Sequence, residues 1–432
     1  MARPQARDAH RIVLLLRRSS QGGHLMEHPL PNHSINNFIF GNEAEIPWSF
    51  MIVIYPYITG LIAGAFVVSS LYHVFKLKAF AGIARFSLVV AFCFGIFAGF
   101  PLLIHLLQPT RAFNIFITPH FTAAMSVFGY VYASYMLLLT TEIWLVYRGF
   151  FVEKARETNR FIWKVLTLGV TDYTPESAKI DRRLINFLAG IGIPAAFTLH
   201  GYVGFIFGSI KAIAWWATPL QPIIFLMSAV ASGIAMILLM YTVLTIRRRG
   251  ERCDADLVRK LATCLWIAFL LAFTLEMLEV GYAYFEQGHH WSLIGPLLRG
   301  PLHESYVVAQ IGILSLPPIV LLGFVTLVKM PRLLTIFLAN LCALLIAAQV
   351  LFMRYNVVIG GQMISKSDRG FVEFHWEWGG REGAAMAIAI MILPFIFYAV
   401  LSRFIPVLGE AHPAEPVRSG DDRLEEKRPP AG

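Results

Sequence analysis

The chain is 432 residues long; 57% of it is hydrophobic and only 15% charged. A soluble domain averages about 45–50% apolar and about 25% charged, so this composition excludes an ordinary soluble globule and points to lipid. The formal net charge of +9 falls mainly in short segments between apolar runs, where it reads as membrane orientation rather than as a nucleic-acid footprint.

Five arginines lie in the first 25 residues, and the run Ile12–Leu16 is shorter than the about 7–15 residues of a signal-peptide core. Residues 1–25 are therefore expected to be an upstream extension or a disordered arm within an N-terminal segment 1–45, with Met26 the more natural start. Lipid offers no hydrogen bonds to the backbone, so apolar runs of about 20 residues are read as spanning helices. Nine are expected, near 49–75, 81–107, 119–147, 184–210, 220–246, 261–285, 305–328, 333–353 and 382–405, with eight or ten still open. They make residues 46–406 an all-α polytopic transmembrane domain. Segment 148–183 mixes charge with Phe, Trp and Leu and is expected at the interface. The longest loop, 354–381, is too short for a soluble domain. The charged, proline-rich residues 407–432 are expected to be a disordered tail.

Basic residues orient these spans. On one side of the membrane the count is 24 Lys and Arg, on the other seven, the first 25 residues left aside. Cytoplasmic loops carry the excess, which puts the C-terminus inside and the N-terminal segment outside. The five arginines before Met26 run against that rule.

Ionisable side chains inside spans are expensive and are functional candidates by default. Most of them gather toward the outer face. His105 ends the second span and His120 begins the third; His200 falls in the outer half of the fourth, and Glu276 and Glu279 in the outer half of the sixth. Arg354 closes the eighth, and Glu377, Arg381 and Glu382 precede the ninth. Glu276 and Glu279 stand three apart and share a helical face. Two such carboxylates in a low dielectric do not both ionise cheaply, so the pair is expected to hold at least one proton. A carboxyl and a histidine so placed suit proton exchange with a quinone as it changes redox state. Glu276, His200 and Glu279 are the expected exchange groups, and His105, His200, Glu276 and Arg354 the expected quinone contacts. A helix–helix hydrogen bond without turnover is the plainer reading of the carboxylates and of His200. Glu142 and His73, toward the inner side, are candidates for a proton path or simply reach the interface. Gly201, Gly204 and Gly208 are spaced for close helix packing, and Trp215 and Trp216 read as aromatic belt.

Metal chemistry finds little support. Cys93, Cys253, Cys264 and Cys342 are scattered, without a CxxC, so no iron–sulfur cluster is expected in this chain. The histidines inside the apolar runs supply one haem-ligating pair at most, and no haem is expected.

The run WWATPLQPIIFLMSAVASGIA (Trp215 to Ala235) resembles the NrfD/PsrC family of quinone-interacting membrane subunits. HLLQPTRAFN (His105 to Asn114) is similar to that family's outer loop after the second span, with His105 where the family has an acidic residue. IPWSFMIVIYPYITGLIAGAFVVSSLYHVF and MRYNVVIGGQMISKSDRGF look more like the DsrP-type members, from the Dsr complex of sulfur metabolism. The resemblance covers about residues 40–405. It implies two four-helix bundles plus extra spans, a menaquinone or ubiquinone near the periplasmic face, and a periplasmic iron–sulfur partner of DsrO type. Cytochrome b and multihaem cytochrome c subunits of Dsr type would lie nearby, and the chain would be the quinone-reactive part of an oxidoreductase complex rather than an enzyme alone. Loop 354–381 would form much of the partner's dock. Two other classes stay open: a secondary transporter or proton/ion channel, with Pro194 and Pro317–Pro318 as candidate helix breaks, and a passive membrane anchor.

Overall fold

The computed structural model describes residues 39–43, 45–158, 160–247 and 253–408; the expected arm at 1–25 and all but the first two residues of the expected tail lie outside them. Nine helices among the described residues are long and apolar enough to cross a membrane: α1 (Phe50–His73), α2 (Lys78–His105), α3 (Ala124–Thr158), α4 (Pro175–Gly208), α5 (Gln221–Arg247), α6 (Ala255–Glu286), α7 (His303–Leu327), α8 (Arg332–Gly360) and α9 (Ala384–Leu401). The described residues contain no strand, only the isolated bridges Glu45–Glu373 and Ile364–Phe371. The chain is thus an all-α, multi-pass membrane protein, as its apolar runs predict.

Packing groups the spans by four. Helices α1–α4 form one bundle, in which α1 lies on α2 and α4, and α3 on α4 and α2. Helices α5–α8 form a second, in which α6 and α8 both lie on α5 and α7 lies on α6 and α8. The two bundles meet where α1 and α4 pack on α5, and α9 leans on α2 from outside. Helix α1 is therefore the centre of the molecule, with 20 of its 24 residues buried. Its sequence is apolar on every side, the pattern of a helix that contacts protein all round.

Several boundaries differ from those expected from hydropathy. Segment 148–183 is largely helical: α3 continues to Thr158, a short helix spans Phe161–Leu166, and α4 begins at Pro175. Local chemistry accounts for this. Thr174 caps α4 by accepting a hydrogen bond from Ser177 N (3.2 Å), and Pro175 follows at a position whose N–H would be spare in any case. Arg148 donates to the fully buried Asp181 at 2.8 Å, tying the two extended helices together beyond lipid length. Likewise Asp254 caps α6 through the amides of Asp256 and Leu257, so α6 starts six residues before the apolar run.

The eighth span departs most. It does not end at Arg354 but runs on through a π-helical turn, Asn356–Gly360, so the expected loop 354–381 shrinks to 361–383 and Arg354 lies inside the bundle. Helix α7 opens with a π-helical stretch, His303–Ile313, and restarts at Leu316. Pro317 and Pro318 lack the N–H groups that the carbonyls of Ile313 and Leu314 would need, which explains the break. Pro194, by contrast, is carried within an unbroken α4. Of the expected packing glycines, Gly204 and Gly208 do sit against α5 and the loop before it. A Cβ on Gly204 would come within 2.6 Å of Pro222 Cα, whereas Gly201 has nothing closer than 4.0 Å.

Candidate functional site

The candidate residues are clearest at the end of the bundle that carries His105, loop 209–220 and loop 361–383. Here α4, α5 and α8 meet around Arg354, which is wholly buried. Its Nη2 donates to Ser228 Oγ (2.8 Å) and to the Phe225 carbonyl (3.1 Å), and lies 3.0 Å from His200 Nε2. Its Cζ stands 3.8 Å from the centre of the Phe225 ring, a cation–π contact away from water. Since the guanidinium donates, His200 Nε2 must accept, which places the imidazole proton on Nδ1. His200, also wholly buried, rests on α1 where Gly60 leaves room; a Cβ there would lie 3.2 Å from its ring.

Among the described residues no carboxylate forms an ion pair with Arg354. The acidic side chain that acts on its charge is Glu276 of α6. Glu276 is itself held by amides: Gln310 Nε2 donates to its Oε1, and Gln349 Nε2 approaches Oε2 at 3.4 Å. A guanidinium and a carboxylate thus share the interior without neutralising each other by contact. Fixed charges kept apart in a low dielectric act strongly on any polar group placed near either of them.

Glu276 opens onto a cavity of about 320 Å³, within the range of about 300–1,000 Å³ typical of small-molecule sites. Glu279, Glu286, His290, Tyr306, Trp215, Thr218 and Gln221 supply its polar wall, and Ile224, Ile294, Met353 and Val357 much of the rest. Down α6 the carboxylates run from buried (Glu276) through half-buried (Glu279) to exposed (Glu286). Tyr306 lies against Glu276 and Glu279, and Gln221 Nε2, though buried, has no hydrogen-bond partner. An unpaired buried donor on a cavity wall is suited to a ligand carbonyl.

The expected quinone contacts do not all converge. Glu276 and Glu279 line the cavity; His200 and Arg354 lie behind its wall, bonded to each other. His105 belongs elsewhere: its Nδ1 pairs with Glu382 at 2.7 Å and approaches Ser49 Oγ at 3.2 Å, beside a second cavity of about 350 Å³ lined by Trp48, Phe50, Trp376, Glu377, Arg381 and others. Trp48, on the wall of this second cavity, stacks on Trp216, with centroids 5.3 Å apart, and the neighbouring Trp215 lines the first. Trp215 and Trp216 are therefore not an aromatic belt. Both are buried, and Trp216 Nε1 donates to the Val357 carbonyl at 2.5 Å, because the π-helical extension of α8 brings that carbonyl beneath loop 209–220.

Glu142 is wholly buried in α3, and neither of its carboxylate oxygens has a hydrogen-bond partner. Helix α3 packs on α4 and α2 rather than on the bundle holding the cavity. His73 is buried at the end of α1, and the Glu142 carboxylate accepts no hydrogen bond from it. Gln310, Gln349, Asn356, Tyr306, Glu286 and His290 were not among the expected residues. Carboxamides in apolar runs are a readable signal, since they too must find partners in lipid. Among the described residues no group of three His, Cys, Asp or Glu side chains converges as metal ligands.

Comparison with known proteins places this architecture. Residues 39–366 match the family model described as polysulphide reductase, NrfD. A selenate reductase subunit of Mesobacillus selenatarsenatis is 30% identical over 386 residues, covering 84% of this chain and 86% of that protein. A putative dimethyl sulfoxide reductase membrane subunit of Halobacterium salinarum is 26% identical over 60% of this chain and 58% of its own length. The Hdr-like menaquinol oxidoreductase integral membrane subunit of Archaeoglobus fulgidus is 26% identical over 56% of this chain and 54% of its own. The chain belongs to the NrfD family of polysulphide reductase membrane subunits.

Proposed function

We propose that this chain is the quinone-reactive membrane subunit of a redox complex, with the ring held in the cavity beside Glu276. The observation that carries this reading is the cavity itself. It is the size of a small-molecule site, apolar on much of its wall, and it offers the unpaired Gln221 amide and two carboxylates at hydrogen-bonding positions. Quinone, when bound there, supplies the two-electron, two-proton chemistry. Gln221 Nε2 would donate to a ring oxygen, and Glu276 and Glu279 would take or return protons. Glu286 and His290 would pass those protons between the cavity and the exposed end of α6. Arg354, braced by His200, keeps a positive charge behind the wall, while the apolar residues keep bulk water out. The related protein named a menaquinol oxidoreductase subunit supports the choice of ligand.

The finer parts of the proposal extend the family resemblance. Electrons would pass between quinone and an iron–sulfur subunit of DsrO type docked on the periplasmic face, near loop 361–383 and the His105–Glu382 pair. Cytochrome b and cytochrome c subunits of Dsr type would complete the assembly, and the C-terminus would be cytoplasmic. A proton path through Glu142 and His73 would start in the first bundle, away from the cavity, and would have to cross the junction where α1 and α4 pack on α5.

Titrating the full-length protein in detergent with a quinone analogue, followed by its tryptophan fluorescence, tests the site. Trp215 on the cavity wall makes saturable quenching the expected result. In Glu276→Gln, loss of a charged hydrogen-bond partner is expected to weaken binding by about 1.5–3 kcal/mol, roughly ten- to a hundredfold in Kd. His200→Gln, acting only through Arg354, should weaken it less. Linear quenching identical in all three proteins would mean partitioning into detergent, and the assignment would fall.

A further inference from the structure

Gln310, Asn356 and Ser305 form a chain of hydrogen bonds that ends on Glu276, and its direction can be fixed. Asn356 Nδ2 donates at 3.2 Å to the backbone carbonyl of Ser305, which can only accept. That settles which end of the Asn356 side chain carries the hydrogens. Its Oδ1 then accepts from Ser305 Oγ at 2.7 Å, and Nδ2 also donates to Gln310 Oε1 at 2.7 Å. With its oxygen occupied, Gln310 must turn Nε2 toward Glu276, where it meets Oε1. Gln310 and Asn356 are both wholly buried, so no water competes for these groups.

The chain exists because two helices leave α geometry. Ser305 and Gln310 lie in the π-helical opening of α7, and Asn356 begins the π-helical turn of α8. Such turns are uncommon and recur at functional sites. We infer that Gln310, oriented by Asn356, is a positioning residue that keeps Glu276 Oε1 a permanent acceptor, so that Glu276 carries its exchanged proton on Oε2 alone. An amide hydrogen pointing at Oε1 favours that oxygen as the carbonyl when the group is protonated, because a carbonyl oxygen accepts more strongly than a carboxyl hydroxyl. Oε2 takes the long 3.4 Å approach of Gln349, with Tyr306 lying against the carboxyl, and it is the oxygen left free to carry and release a proton. The inference rests on the reading of Glu276 as a proton-exchanging group.

Infrared difference spectroscopy of the full-length protein in detergent, between acid and alkaline media, reads this directly. The carboxylic C=O stretch of protonated Glu276 is the band lost in Glu276→Gln. With Oε1 as the carbonyl oxygen and Gln310 donating to it, that band should lie at low frequency and move upward in the near-isosteric Gln310→Met. In Asn356→Leu the Gln310 amide is free to turn either way, so the band should split or broaden. The double variant should match Gln310→Met alone, since Asn356 acts only through Gln310. A chain that merely ties α6, α7 and α8 together would lower thermal stability in these variants and leave the band where it was. That outcome overturns the inference while leaving the Glu276 assignment intact. If Glu276→Gln removes no band at any pH, Glu276 does not exchange protons and both fall. Should Gln310→Met not fold, Asn356→Leu keeps the measurement decisive, because Gln310 is still present in it.

Discussion

Replacing Arg354 with methionine is expected to produce a large loss of stability and to abolish the response to quinone. The side chain is wholly buried, and its Nη2 shares two hydrogens among Ser228 Oγ, the Phe225 carbonyl and His200 Nε2. Methionine fills most of the volume but leaves those acceptors facing one another. It also leaves Glu276 without the opposite charge it interacts with. Leaving a buried hydrogen-bond acceptor without its donor typically costs ~1–3 kcal/mol, and more than one acceptor here loses its donor. Thermal unfolding in detergent, followed by tryptophan fluorescence, should show the midpoint falling well below that of the parent. Arg354→Lys should rescue little. An ammonium keeps the charge and has donors to offer, but it lacks the planar group that lies against the Phe225 ring while one of its nitrogens meets the acceptors. A methionine variant with parental stability and normal quenching would show that the guanidinium is dispensable, and the electrostatic account of the cavity would be wrong.

Arg354 also shows where reading the sequence succeeds and where it stops. Its cost was legible, since a charged residue beside a long apolar run is expensive and stands out. Its depth was not: hydropathy ends the span at Arg354, whereas the π-helical turn carries it on to Gly360. Its surroundings were not, because hydropathy reports position along the membrane normal and says nothing about direction around a helix axis. The same limit grouped His105 with His200 and Glu276, which share a depth, although packing puts His105 against Glu382 beside a different cavity. Helix ends were missed for a different reason. The Thr174–Pro175 and Asp254 caps are written in the sequence, but they lie outside the apolar runs and carry no hydropathy signal. Trp215 and Trp216 were misplaced because aromatic residues near a span's end sit at the lipid interface unless something covers them. Here loop 209–220 and the π-helical end of α8 do so, and only the assembled fold shows it. The carboxamides Gln310, Gln349 and Asn356 were visible as polar residues in apolar surroundings, but their joint role depends on two helices departing from α geometry at matching heights.

The junction between the bundles is the other place where a small change should have a large effect. Gly64 of α1 and Gly233 of α5 face each other across the crossing. A Cβ on Gly64 would lie 2.5 Å from the Ala229 carbonyl oxygen and 2.6 Å from Gly233 Cα; one on Gly233 would lie 2.6 Å from Gly64 C. These obstacles are backbone, so no rotamer change relieves them and the helices must separate. Close approach of this kind is how small residues hold membrane helices together, since lipid provides no hydrophobic drive for association. Inserting a methyl group into a packed interior costs about 1–3 kcal/mol, and more where neighbours are rigid, so Gly64→Ala and Gly233→Ala should each reach or exceed the upper end. The double variant should cost less than the sum, because one separation accommodates both methyls. Gly281→Ala in α6 is the control: its Cβ meets nothing within 4 Å, and alanine in an open helical position should gain up to about 1 kcal/mol. The consequence reaches the site as well. Gly60, one turn before Gly64, is where His200 rests on α1, and a Cβ there would also lie 3.3 Å from Ala229 Cβ on α5. Parting α1 from α5 therefore loosens the support of His200, and through it that of Arg354, so weaker quinone quenching should accompany the lower melting temperature. If stability falls while quenching is unchanged, the α1–α5 crossing holds the bundles together without bracing the cavity, and the link from His200 to the quinone would have to be given up.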